Sequence, residues 1–294
     1  MVEKRKFSQN TIAIIYDFDG TLSPQPMQEY TVLPEIGIPA KEFWKEVSRE
    51  TKSSESEGML VYMRLLIEKA EEKKVHLGRK ELASLASEIK YFPGVESWFD
   101  RINKHVRENG NGKTKVEHYI ISAGMKEILE GVSIKKKFKN IFASEYHFDH
   151  HGVAKFPKQL ITDTTKTQFI FRINKGKQKL SESINQHTPE HERPIPFTNI
   201  IYIGDGLTDV PSMTVTKQGG GHSVAVYKPS SPKGLESCKS LLSAGRVHFI
   251  ASADYSEDSV LEKRMKLLLK SVISSIEYER ELFACRREND LLQK

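Results

Sequence analysis

The sequence predicts an α/β protein: a doubly wound, mostly parallel, Rossmann-like sheet with a small helical cap inserted after the first strand. Three observations predict it. Short apolar runs recur along the 294 residues, each separated from the next by a stretch of helical spacing, and strands that alternate with helices fold as parallel crossovers on one sheet. The first run, Thr11-Ile12-Ala13-Ile14-Ile15-Tyr16, is rich in β-branched residues and apolar on both faces, as a strand covered by helices on both sides must be. Behind it, residues 25–91 have helical composition and almost no strand signal.

In chain order, the first strand runs into Asp17-Phe18-Asp19-Gly20-Thr21-Leu22 and a turn-rich link, Ser23-Pro24-Gln25-Pro26. Helices are predicted over 40–51, 58–73 and 79–91, the second with Leu60, Met63, Leu66 and Ile67 on one face. An insertion in this place would cover the strand end, exclude water and select what enters. Pro93 and Gly94 open a further amphipathic helix that ends at Asn109-Gly110-Asn111-Gly112. A second strand is predicted at 116–122 with a helix after Gly124, then a short strand near 140–144 and a turn at Asp149-His150-His151-Gly152. A helix over 167–174 precedes a polar stretch and a third strong strand, 199–203, which runs into Gly204-Asp205-Gly206-Leu207-Thr208-Asp209. Strands at 223–227 and 247–251 complete the alternation.

The last segment, 257–289, carries Leu261, Met265, Leu268, Val272 and Ile276 at helical spacing and reads as a helix packed on the sheet. It is longer than one small sheet needs, so the tail from Glu277 onward could project or pair two copies of the chain. The expected division is a catalytic core of residues 1–24 and 92–257, a helical cap of 25–91, and a C-terminal amphipathic helix of 258–294.

Composition narrows the function classes. Hydrophobic residues make up 38% and charged residues 29%, which suits a soluble globular chain, and no apolar stretch approaches the ~20 residues that span a bilayer. The polar start, Met1 to Asn10, and an apolar run that soon meets Asp17 argue against a secretory signal. Two cysteines, Cys238 and Cys285, have no metal-type spacing, and a reduced, cytoplasmic setting is expected. A net charge of +6 suits either nucleic acid or a phosphorylated small molecule. The basic clusters Lys135-Lys136-Lys137 with Lys139, Lys175-Gly176-Lys177 with Lys179, and Arg286-Arg287 lack interleaved aromatics, so nucleic acid is the disfavoured partner.

The chemistry is concentrated at strand ends, where open α/β sheets bind ligands. Asp-Gly is ordinary turn chemistry and accounts for Asp19-Gly20. It does not account for Asp17, a second carboxylate that must be desolvated beside the first and that repels it unless a cation intervenes. Ser122 ends Tyr119-Ile120-Ile121, with Ala123-Gly124 behind it, so its hydroxyl and neighbouring amides could grip an anionic oxygen. Asp205 and Asp209 flank a glycine turn after the third strand, and Lys166 stands at a helix start between these sites. Carboxylates for a hard cation, a hydroxyl and amides for phosphate, and a lysine for residual charge are what phosphoryl transfer requires.

This constellation resembles the haloacid dehalogenase-like (HAD) hydrolase superfamily. Asp17-Phe18-Asp19-Gly20-Thr21 looks like its first motif, Ser122 its second, Lys166 with the apolar-faced helix behind it its third, and Gly204-Asp205-Gly206-Leu207-Thr208-Asp209 its fourth. The resemblance covers the core, and the cap position with Ser122-Ala123-Gly124 is similar to the phosphoserine phosphatase branch. It implies a Mg2+-dependent phosphatase acting on a small phosphorylated metabolite through an aspartyl-phosphate, with phosphomutase or a non-catalytic phosphate-binding regulator as the alternatives. On that reading Asp17 is the nucleophile and Asp19 the general acid and base. Asp17, Asp205 and the backbone carbonyl of Asp19 hold Mg2+, and Asp209 supports the metal or the lysine. Thr21, Ser122, Ala123, Gly124 and Lys166 hold the phosphoryl oxygens. Lys155, Lys175 and Lys177 are rivals for the lysine role. Asp19 itself favours phosphate over halide chemistry, because an expelled halide needs no proton.

Other signals are discounted. His147, Asp149, His150 and His151 offer ligand chemistry but sit in an apparent hairpin, with strands from Phe142 to Phe148 and from Gly152 to Phe156. Gly219-Gly220-Gly221 lacks the lysine and hydroxyl of a nucleotide loop and reads as a connection. Trp44, Trp98, Met59 and Met63 read as packing residues.

Overall fold

The computed structural model describes residues 6–292, so the first five residues of the predicted core and the last two of the predicted C-terminal segment lie outside the described residues. Among these residues seven strands, β1 (Thr11–Tyr16), β2 (Lys115–Met125), β3 (Asn140–Phe148), β4 (Ala154–Gln159), β5 (Ile200–Gly204), β6 (His222–Tyr227) and β7 (Phe249–Ser252), form one sheet. Its order is β4-β3-β2-β1-β5-β6-β7. All neighbours are parallel except β3 and β4, which form the antiparallel hairpin at one edge. The chain builds outward from β1 on one side and then returns to place β5 on the other. The C-terminal end of β1 is therefore the topological switch point, where a crevice opens between diverging connections.

Among the described residues eleven α-helices accompany the sheet: α1 (Met27–Tyr30), α2 (Val32–Glu35), α3 (Ala40–Ser54), α4 (Gly58–Glu72), α5 (Arg79–Ser84), α6 (Val95–Asn109), α7 (Lys126–Leu129), α8 (Lys166–Lys175), α9 (Val210–Gln218), α10 (Pro232–Ser243) and α11 (Val260–Leu292). Alternation along β1 divides the core. Ile12, Ile14 and Tyr16 face a cluster with Trp98 and Phe99 of α6 and Leu261, Met265 and Leu269 of α11. Ala13 and Ile15 face Phe169, Ile170 and Ile173 of α8, Met213 of α9 and Leu241 of α10. All of these side chains are buried, which is why the strands read as continuous apolar runs.

The helices inserted between β1 and α6 join the first cluster through Phe43, Leu66 and Leu82, so inserted and sheet residues share one apolar core. A second attachment is polar: the Ala154 amide donates to the Leu77 carbonyl at 3.0 Å beside the β3–β4 hairpin.

Several predicted boundaries shift. The stretch after Gly124 is a strand through Met125 followed by the single turn of α7, because β2 continues past Ser122 with a register irregularity between Ser122 and Met125. The predicted helix 79–91 ends at Ser84, passes through a 3-10 turn over Leu85–Glu88 and is extended at Ile89. Two one-turn helices, α1 and α2, lie between the predicted link at 23–26 and the first predicted helix at 40, where no individual helix was expected. Pro26 lies just before α1 and Pro34 within the first turn of α2, places where a missing amide costs nothing. The β3–β4 hairpin is as expected, and the Asp149 carboxylate holds its turn by accepting from the amides of His151 and Val153. The glycines at 219–221 link α9 to β6. Among the described residues no helix is long and apolar enough to cross a membrane.

Candidate active site

The in-register parallel pairing of β1 with β2 and β5 puts the ends of three strands on one edge of the sheet. Tyr16 lies opposite both Ile120 and Ile203, so Asp17 follows β1 directly beside the residues that lead into Ser122 and Asp205. The ladder extends one step further, with the Asp17 amide donating to the Ile203 carbonyl at 2.9 Å. Beyond it, Phe18 to Ser23 closes into a turn in which the Phe18 carbonyl accepts from the amides of Thr21, Leu22 and Ser23.

Four of the predicted residues converge. The Lys166 ammonium lies 3.1 Å from Asp17 Oδ1 and 2.7 Å from Asp209 Oδ1, and its side chain is almost wholly buried. Asp209 is held from three sides: its Oδ1 also accepts from the Tyr202 hydroxyl at 2.7 Å, and its Oδ2 accepts from the Asp205 amide at 3.1 Å. One carboxylate oxygen each from Asp17, Asp205 and Asp209 lies within 4.8 Å of the others. Gly20, at φ +80, permits this approach, because a Cβ there would stand 2.1 Å from Asp205 Oδ2.

The rival lysines are engaged elsewhere. Lys155 pairs with Glu71 at 3.1 Å. Lys175 donates to the carbonyls of Ile184 and Gln186, and Lys177 to the carbonyl of Ser183.

Burial drives the electrostatics. It pushes the carboxyl of Asp17 above its usual range; Lys166 opposes that shift and Asp209 adds to it. Asp205 is raised by burial and then by the charges of Asp209 and Asp17. Asp19 is raised well above the ordinary range by burial and by Asp17, against the opposing hydrogen bond from Met27. Lys166 moves the other way from what burial alone dictates, because Asp17 and Asp209 hold its proton. One ammonium thus faces three clustered acids. A hard cation among the three oxygens would remove the remaining repulsion, and an all-oxygen carboxylate set suits Mg2+.

Asp19 points toward the inserted helices. Its Oδ1 accepts from the Met27 amide at 2.9 Å, so the first residue of α1 holds this carboxylate. Ser122 is buried, and its hydroxyl accepts from the Gly124 amide at 3.0 Å; Ala123 and Gly124 fall in the irregular stretch of β2. A Cβ on Gly124 would meet the Met27 methyl at 2.1 Å, so this strand end and α1 are in close contact. Thr21 is fully buried and its hydroxyl has no hydrogen-bond partner; its carbonyl accepts from Tyr255.

Sequence reasoning missed three features of the site. Tyr202 supplies a hydroxyl to Asp209, and its one signal was a phenol inside an otherwise aliphatic strand. Glu29 holds the Trp44 indole, its Oε1 accepting from Nε1 at 2.9 Å. Trp44 and Met59, expected to be packing residues, are half-buried and line a pocket of about 390 Å3 beside Asp19, whereas Trp98 and Met63 are in the core.

Over residues 14–214 the chain matches the family model of the haloacid dehalogenase-like hydrolases, and it belongs to that family. An uncharacterised protein of Borreliella burgdorferi is 27% identical over 277 residues, which is 86% of this chain and 94% of that protein. Among solved structures, a phosphoserine phosphatase captured as a phospho-aspartyl intermediate analogue superposes with a TM-score of 0.52 at 15% identity, over 88% of this chain and 99% of that one. A probable phosphoserine phosphatase from Vibrio cholerae superposes with a TM-score of 0.57 at 12% identity, over 95% of this chain and 69% of that one. At these identities the likeness is one of fold.

Proposed function

We propose that the protein is a Mg2+-dependent phosphatase that hydrolyses a small phosphorylated metabolite through an aspartyl-phosphate on Asp17. The observation that carries this reading is the contact of buried Lys166 with both Asp17 and Asp209, at the edge where Asp19 stands two residues beyond Asp17. Asp17, Asp205 and the backbone carbonyl of Asp19 would hold Mg2+. When bound, the ion supplies positive charge that offsets the repulsion between an anionic nucleophile and an anionic substrate.

The chain's own residues supply the rest. Asp17 attacks phosphorus, and because a carboxylate is a weak nucleophile the acceleration must come from positioning and charge neutralisation. Lys166 neutralises charge on the nucleophile side, and Asp209 keeps that ammonium in place. Ser122, Ala123 and Gly124, together with Thr21, are the phosphate-holding groups in this reading. Asp19, whose raised proton affinity suits a general acid, protonates the leaving alkoxide and then takes a proton from the water that cleaves the aspartyl-phosphate.

The test is phosphate release from an aryl phosphate, measured with Mg2+ and with chelator, for the wild-type protein and for Asp17→Asn. The expected result is Mg2+-dependent turnover that falls at least about a thousandfold in the variant while its circular dichroism is unchanged. Undiminished turnover in Asp17→Asn would remove Asp17 from the nucleophile role.

A further inference from the structure

We infer that the leaving alcohol of the substrate carries a cationic ammonium group and no carboxylate, and that Glu29 and Trp44 receive it. This rests on the phosphatase reading and names the substrate class of the same site.

The pocket beside Asp19 is the space into which an alcohol departing from a phosphate near Asp17 would extend. Asp19, Glu29, Trp44, Met59, Tyr62 and Gly124 are among its walls. Its volume, about 390 Å3, falls in the range that small ligands occupy. No lysine, arginine or histidine is found among the described residues lining it, so a substrate carboxylate would meet no counter-charge there and would face Glu29. Lys166, the buried ammonium of the site, is already committed to Asp17 and Asp209.

The walls suit a cation in two ways. Glu29 is fixed through one oxygen by the Trp44 indole at 2.9 Å, which leaves its second oxygen without a partner among the described residues and keeps the carboxylate at the pocket. The indole of Trp44 and the phenol of Tyr62 stand 5.6 Å apart between centroids, at 41° to one another. Tyr62 is buried and backs the indole, so the half-buried Trp44 indole beside the Glu29 carboxylate is the aromatic group that suits a cation. Tyr62 is itself held, because its hydroxyl accepts from Gln28 at 2.8 Å. The receptor is therefore pre-formed, and binding need not pay to order it.

The test compares phosphocholine with its uncharged isostere 3,3-dimethylbutyl phosphate, and phosphoethanolamine with phosphoserine, all with Mg2+ and beside an aryl phosphate. The charged ester is expected to be at least about tenfold better in kcat/KM than the isostere, mainly through KM, and phosphoethanolamine at least about tenfold better than phosphoserine. In Glu29→Gln, which keeps an oxygen for the Trp44 indole, the ratio of charged to uncharged ester is expected to collapse toward one; a ratio taken within one variant is insensitive to a general loss of activity. A second readout needs no turnover: choline should change the Trp44 fluorescence of the wild-type protein saturably, and 3,3-dimethylbutanol should not. Hydrolysis of the aryl phosphate with equal efficiency for charged and uncharged esters would overturn the inference and leave the phosphatase reading intact, and a preference for phosphoserine would do the same. Failure to hydrolyse any of these esters would count against the phosphatase reading, whereas saturable choline binding would still support the pocket assignment.

Discussion

Lys166 shows how much one side chain can carry. Its ammonium is buried between Asp17 and Asp209, and Asp209 has no solvent exposure at all. Replacing it by methionine, of similar length, removes the charge and leaves two buried carboxylates facing each other. Lys166→Met is expected to cost about 3–5 kcal/mol in the absence of metal, read as a lowered urea midpoint; an unchanged midpoint would mean that the buried pair is not holding the site together. Asp17, Asp205 and Asp209, which the fold brings together, were legible in the sequence as carboxylates at the ends of apolar strands, whereas Asp19 also had the plain explanation of an Asp-Gly turn. Lys166 was less legible, since a lysine at a helix start looks like many surface lysines until its burial is known. Glu29 and Trp44 were not legible. Their meaning depends on how α1 and α3 pack, and a glutamate and a tryptophan on helices read as surface and core.

Among the elements, the longest helix is joined to α6 by a buried carboxylate as well as by its apolar face. Glu262 near the start of α11 has no exposure; it accepts from Arg101 Nε of α6 at 2.7 Å and from the Asp258 amide at 2.8 Å, and it pairs with Lys266 at 3.1 Å. Burial alone would raise its carboxyl, but these donors outweigh burial and hold it below the ordinary glutamate value of 4.5. A depressed folded-state value means that the stabilisation is present above pH 4.5 and is lost as the pH falls through the folded-state value. Glu262→Gln is therefore expected to lose about 2 kcal/mol at neutral pH, with the gap to wild type narrowing as the pH drops below the ordinary value. Urea midpoints measured across that range check this, and a gap that stays constant would show that charge plays no part.

The central strands β1, β2, β5 and β6 were readable because burial on both faces leaves an apolar run, whereas the largely exposed edge strand β4 was readable only as the second arm of a hairpin. The one-turn helices α1 and α2 were not readable, because helices that short are held by tertiary contacts rather than by their own periodicity, whereas the helix expected after Gly124 is there as the single turn of α7.

At the scale of the whole molecule, the acidic cluster makes stability depend on what fills it. The folded protein holds Asp205 close to Asp17 and Asp209, a repulsion the unfolded chain does not have. Mg2+ at a hundred times its dissociation constant is expected to add about 2.7 kcal/mol, seen as a raised thermal midpoint. In Asp205→Asn that rise should largely vanish, while the metal-free variant should be at least as stable as the metal-free wild type at pH 8, since burial raises the proton affinity of Asp205 and its charged form is the disfavoured one. A metal-free variant less stable than wild type would show that Asp205 is needed for folding more than for binding a cation.

The hydrogen bond from the Met27 amide to Asp19 has a consequence for timing. Any motion that lifts α1 away from the sheet to admit substrate or release product must first break the contact that orients Asp19. Under the proposed mechanism an open molecule would therefore hold an unaimed proton donor, and bulk water entering at that moment would meet a nucleophile whose proton-handling partner is out of register. In that mechanism access and competence would alternate, coupled through one main-chain amide.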